Sequence, residues 1–188
     1  MLAVQEKTGL SAKEKILRAA HDLFYADGIK ATGIDKIIAA SEVTKVTFYR
    51  HFPSKNQLIL SYLDYRHALW MGWFTAALSA RLSGCDSREQ ALAAALCDWF
   101  SDADFRGCAF INATAESGEL LDDVKAITRR HKDEMRAVIS QQLHIDDEDK
   151  LDALVLIIDG AIVQAQIGKD PLRVTALLRN SLAPMLTT

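Results

Sequence analysis

The chain has 188 residues, 49% of them hydrophobic and 25% charged, with a formal net charge of −3. That balance excludes a disordered or fibrous chain and suits one globular domain with a small second one. No apolar run reaches the roughly 18 residues that span a bilayer, and three cysteines without paired spacing fit a reduced cytoplasm rather than a disulfide framework.

Only 3 Pro and 9 Gly interrupt the chain, so breakers are sparse and an all-α fold of about nine helices is expected. Residues 1–10 read as a loose arm, and Met-Leu-Ala-Val-Gln-Glu-Lys is no secretory signal. Ser11-Ala-Lys-Glu14 has the spacing of a capping box. Ile16, Ala20, Leu23 and Phe24 follow at helical intervals, and Gly28 is a stop. Thr32 with Asp35 also has capping-box spacing, with Gly33 as the other candidate cap. Ile34, Ile37 and Ile38 form the inner side of a short second helix.

Ser41-Glu42-Val43 is a three-residue break, and Thr44 is a good N-cap for a third helix. Helix, three-residue turn, helix is the spacing of a helix-turn-helix unit. In Thr44-Lys-Val-Thr-Phe-Tyr-Arg-His-Phe52 the aromatic pair Phe48 and Phe52 turns inward, while hydroxyls and cations point out. That suits a DNA groove. Leu17, Phe24, Ile37, Val43, Phe48 and Phe52 are the expected core of the three helices.

Charge agrees with this placement. Residues 1–66 hold 10 Lys+Arg and 7 Asp+Glu, a net of +3; the remainder holds 12 and 18, a net of −6. DNA contact is therefore expected from the N-terminal part alone.

Ser54 caps a long helix from Lys55 to about Arg81, roughly 40 Å at 1.5 Å per residue. Ser83 to Asp86 is a loop, and Ser87 opens a helix to about Asp104. A short helix covers Cys108 to Glu116, and a long one runs from Glu119 to about His144. Asp146 to Asp149 is a solvated charge run ahead of a very apolar helix, Leu151 to Ile167. Asp170-Pro171 then caps the last helix, which carries Val174, Leu177, Leu178, Leu182 and Met185. Two apolar helices in succession have more apolar face than one thin core covers, and a second copy would cover the rest. Leu154, Ile158, Ile162, Val174, Leu178 and Leu182 are the expected interface of a homodimer.

Residues 11–58 resemble the DNA-binding domain of the TetR family of bacterial transcription regulators. The resemblance is carried by Lys15-Ile-Leu-Arg-Ala-Ala-His-Asp-Leu-Phe24, Gly28, Ala31-Thr32, Ile37 and Val43-Thr44-Lys45-x-Thr47-Phe48-Tyr49-Arg50-His51-Phe52-Pro53-Ser54-Lys55. The family usually has Gly where this chain has Glu42, a small residue at Val46 and Ala at Ile38. The resemblance implies a three-helix DNA-binding domain (residues 1–53) and a helical ligand-binding and dimerisation bundle (residues 54–188), with dimerisation through the last two helices.

On that reading Thr44, Lys45 and Thr47 face bases, and Thr32, Tyr49, His51 and Lys55 face phosphate. The implied bundle cavity would draw on Trp70, Trp73, Phe74, Trp99, Phe100 and Phe110, with Asn112, Glu116 and His131 as its polar groups. The expected partners are a double-stranded operator, a second copy and a small-molecule effector. No membrane, cofactor or metal is called for. The five histidines form no zincin pair and no Gly-rich phosphate loop is present, so no enzyme is expected. The alternative is a dimeric small-molecule- or partner-binding regulator, sensing redox through Cys97 or Cys108, whose DNA binding is secondary.

Overall fold

The structure is a computed structural model that describes residues 9–84 and 87–186. Cys85, Asp86 and most of the expected N-terminal arm lie outside the described residues. Among the described residues there are nine α-helices, one 3-10 turn and no strand. They are α1 (Ala12–Asp27), α2 (Ile34–Ser41), α3 (Lys45–His51), α4 (Lys55–Ser83) and α5 (Arg88–Phe100). After these come α6 (Ala109–Glu116), the 3-10 turn (Gly118–Leu120), α7 (Leu121–Leu143), α8 (Glu148–Gln166) and α9 (Pro171–Leu186). No helix among them is long and apolar enough to cross a membrane.

The helix ends follow local chemistry. Ser11 and Glu14 close a reciprocal capping box on α1, with Ser11 N–H donating to the Glu14 carboxylate at 2.8 Å. Gly28 ends the helix at φ 89°, a conformation only glycine adopts without strain. Asp147 and Asp170 accept backbone N–H bonds at the starts of α8 and α9. Helix α5 stops at Phe100, short of the expected Asp104, because Asp102 folds its carboxylate onto the N–H of Asp104 at 2.9 Å and competes with the helix. Helix α7 closes with His144 in the left-handed region (φ 51°) and Ile145 N–H donating back to the Ser140 carbonyl at 3.0 Å.

By packing, the described residues fall into two units. One takes residues up to 69 together with 108–131; the other takes 70–107 and 132–186. The division by packing falls inside α4, and the first unit takes in α6 and the start of α7.

In the first unit Ile16, Ala20, Phe24, Ile37, Phe48, Phe52, Leu58 and Leu63 form the core. Ile16 occupies the place expected of Leu17. Leu17 and Val43 are only half-buried. The buried Arg66 guanidinium lies 3.9 Å from the Tyr25 ring centroid and 3.3 Å from His21 Nε2. Arginine has no lone pair, so Nε2 must accept and His21 Nδ1–H donates to Asp22 at 2.9 Å.

In the second unit α9 packs on α5 and α8. Arg88 donates to the Leu143 carbonyl at 2.8 Å and to the Leu186 carbonyl, so one guanidinium caps the C-terminal ends of α7 and α9. The six residues expected at a dimer interface, Leu154, Ile158, Ile162, Val174, Leu178 and Leu182, are buried in this unit's own core. The correction has a geometric cause. Helix α8 carries two apolar stripes about 180° apart, and the stripe left exposed is Leu156, Val163 and Ile167, with Gly160 between them.

Candidate nucleic-acid interface

The turn between α2 and α3 is tight. Glu42 sits at φ 54°, ψ 37°, and its N–H donates to the Ala39 carbonyl at 3.3 Å. A non-glycine residue there costs on the order of 1 kcal/mol. Glu42→Gly is therefore expected to stabilise the protein by about that amount, read as a higher midpoint in urea. A lower midpoint would show that the Glu42 side chain makes a compensating contact.

Thr44 caps α3. Its Oγ1 accepts the Thr47 N–H at 3.2 Å and lies 2.9 Å from Thr47 Oγ1. Helix α3 has only seven residues, too few to persist alone in water, so its aromatics must hold it. Phe48 and Phe52 are both buried, with ring centroids 6.4 Å apart. With those two fixed inward, the 3.6-residue period turns Lys45, Val46, Tyr49 and Arg50 out to solvent, with Thr44 exposed at the helix start. Thr47 and His51 are half-buried. The Lys45 side chain is 68% exposed, and its ammonium lies 3.9 Å from the still more open Asp35 carboxylate, a pair too solvated to hold it. Ser54 caps α4 by accepting the Gln57 N–H at 3.2 Å, leaving a helix N-terminus beside α3 in sequence.

Two residues expected at phosphate have other tasks. Thr32 is fully buried, and its hydroxyl donates to the Gly28 carbonyl at 2.8 Å. It closes the end of α1, so Gly33 caps α2 and the Thr32–Asp35 box does not form. Lys55 Nζ donates to the Ile29 carbonyl at 2.6 Å and lies 5.9 Å from the Phe24 centroid. Burial pushes its ammonium pKa down, and the Glu116 carboxylate partly opposes this. Lys55 thus braces the α1–α2 turn.

Glu116 at the end of α6 braces the same turn. It accepts the Lys30 N–H at 2.8 Å, and a Cβ on Gly28 would lie 3.2 Å from its oxygens. Sequence reading missed this contact because 86 residues separate its partners. The sequence placed Glu116 at the end of a short helix and among the polar groups of a cavity, not on this turn.

Of the nine residues expected around a ligand cavity, Glu116 is taken by the α1–α2 turn, and the other eight divide between the units. Trp70, Trp73, Phe74, Trp99 and Phe100 form a ring cluster in the second unit, with Trp70 stacked on Phe74 at 4.7 Å and meeting Trp99 edge-on at 5.3 Å. Phe110, Asn112 and His131 belong to the first unit. There the His131 ring stacks on Phe110 at 3.7 Å, and its Nδ1 lies 3.1 Å from Nδ1 of His67. A separate open groove of about 350 Å³ in the second unit is lined by Arg81, Cys97, Asp98, Leu172, Thr175 and Arg179. Cys97 is half-buried in that wall, whereas Cys108 is buried.

Residues 16–62 match the family model described as "Bacterial regulatory proteins, tetR family". A TetR-family transcriptional regulator from Streptomyces coelicolor, solved by crystallography, is 30% identical. The match covers 93% of this chain and 94% of that one, with a TM-score of 0.78. The HTH-type transcriptional regulator QacR of Staphylococcus aureus is 36% identical over 61 residues, which is 32% of this chain and 32% of QacR, so the match spans about a third of that relative. The multidrug binding protein EbrR, solved in complex with malachite green, shares the fold. Its TM-score is 0.73 at 16% identity, over 94% of this chain and 98% of EbrR.

Proposed function

The chain belongs to the TetR family of bacterial transcriptional regulators, and from that premise we propose a cytoplasmic, ligand-responsive repressor that acts as a homodimer on an inverted-repeat operator. The family is one of DNA-binding regulators and not of enzymes. The observation that carries the finer reading is α3 itself. A seven-residue helix held by two buried phenylalanines turns outward two cations, a phenol and a hydroxyl-bearing start. Thr44, Lys45 and Thr47 then meet base edges; Tyr49, His51 and the α4 N-terminus meet phosphate.

Two-fold symmetry sets two recognition helices on half-sites roughly 34–70 Å apart. The second copy has a place to dock. Leu156 is 73% and Ile167 65% exposed on one stripe of α8, and Gly160 between them admits a close helix neighbour. The ring cluster around Trp70 and Trp99 supports an aromatic or apolar effector, and EbrR is a multidrug binding protein with the same fold. Helix α4 runs through both units, so it can pass an effector's influence to the DNA-binding helices. A coupling of about 1–3 kcal/mol, or 5–150-fold in affinity, is typical.

The test begins with the duplex that the purified protein selects from a random-sequence pool. Lys45→Ala is expected to weaken that duplex by about 1–3 kcal/mol per half-site while the urea midpoint stays put. A preference for the selected over a scrambled duplex that shrinks by that amount would support Lys45 as a base reader. An unchanged preference would remove it.

A further inference from the structure

Val46 has no task in the fold. It is the second residue of α3, and at 80% exposure it is the barest large hydrophobic among the described residues. A β-branched side chain is a poorer helix former than alanine, so here it weakens a short helix and buries little in return. Its neighbours explain where it points. Tyr49 and Arg50 follow at i+3 and i+4, both exposed, and Lys45 and Thr47 flank it. The isopropyl group therefore stands on the outward face, in the first turn of the helix.

The first turn of a recognition helix lies closest to the base edges. In the major groove one base alone offers an apolar group, the C5-methyl of thymine. Lysine and threonine can find acceptors on any sequence. Valine gains only against another apolar group. Branching at Cβ also fixes its rotamer on a helix, so little side-chain freedom is lost on contact.

Resting on the reading of α3 as the recognition helix, we infer that Val46 is a specificity residue that packs on the C5-methyl of one thymine in each half-site. The experiment uses the full chain and its selected duplex. Each thymine is replaced in turn, in both half-sites, by deoxyuridine, which keeps the pairing edge and lacks only the methyl. Wild type should lose about fourfold in affinity per half-site at one position, or about fifteenfold for both. Val46→Ala should show that same loss on the thymine duplex and be indifferent to uracil at that position, while its salt slope stays at the wild-type value.

A Val46→Ala protein that keeps wild-type sensitivity to uracil at every position overturns the inference. So does a wild-type scan with no sensitive position. Both leave the regulator reading standing, because a duplex was selected. A protein that enriches no duplex at all overturns that reading and this one together.

Discussion

The double substitution Leu156→Glu, Val163→Glu is expected to give a folded monomer whose affinity for the operator falls at least about 100-fold. Both side chains are exposed on one stripe of α8, so a carboxylate there disturbs nothing within the chain, and the urea midpoint should stay within the small range of surface changes. In a dimer the same carboxylates would be buried against a second apolar stripe, which is strongly unfavourable. Losing the dimer removes the second half-site's contribution, an effect of roughly 10²–10⁴ in avidity. Sedimentation at micromolar concentration and a binding titration read the two outcomes separately. A variant that still sediments as a dimer would move the interface off α8. Leu178→Glu is the wrong probe. Leu178 is in the core, and a charge there is expected to unfold the second unit whether or not a dimer exists.

That contrast marks how far the sequence could be read. Apolar periodicity located α8 and α9 and showed them apolar on more than one face. It did not say which stripe meets the chain's own core, because both obey the same 3.6-residue period and the choice is made by helices far away in sequence. Caps were legible where the chemistry is local: Ser11 with Glu14, Thr44 with the Thr47 N–H, and Asp170. They were misread where a polar side chain turned inward. Thr32 has the right spacing for a cap, but the carbonyls at the end of α1 take its hydroxyl. Lys55 lies beside a helix start, yet the Ile29 carbonyl and the Phe24 ring draw its ammonium inward. Nothing local distinguishes those fates from exposure to phosphate. The left-handed Glu42, by contrast, was legible through the family resemblance, because the family usually has glycine at that place in the turn.

Phe48→Ala should abolish operator recognition while leaving the oligomeric state intact. The ring is fully buried among α3's supports, and truncating such a phenylalanine costs about 3–5 kcal/mol. Helix α3 cannot absorb that loss. Seven residues do not nucleate a helix alone, and Phe52 with the Thr44 cap would be left to hold it. With α3 no longer fixed, Lys45, Val46 and Thr47 lose their common direction. Sequence-specific binding should then drop by more than about 100-fold to the level of salt-dependent, non-specific binding. The exposed α8 stripe belongs to the other unit, so the protein should still sediment as wild type does. Phe48→Leu keeps most of the volume and is expected to cost less than about 1.5 kcal/mol and to retain the operator. Wild-type operator affinity in Phe48→Ala would mean that bases are read by some element other than α3. Loss of the dimer in the same variant would mean that the assembly surface extends beyond α8 and α9, because Phe48 itself meets no solvent that a partner could displace.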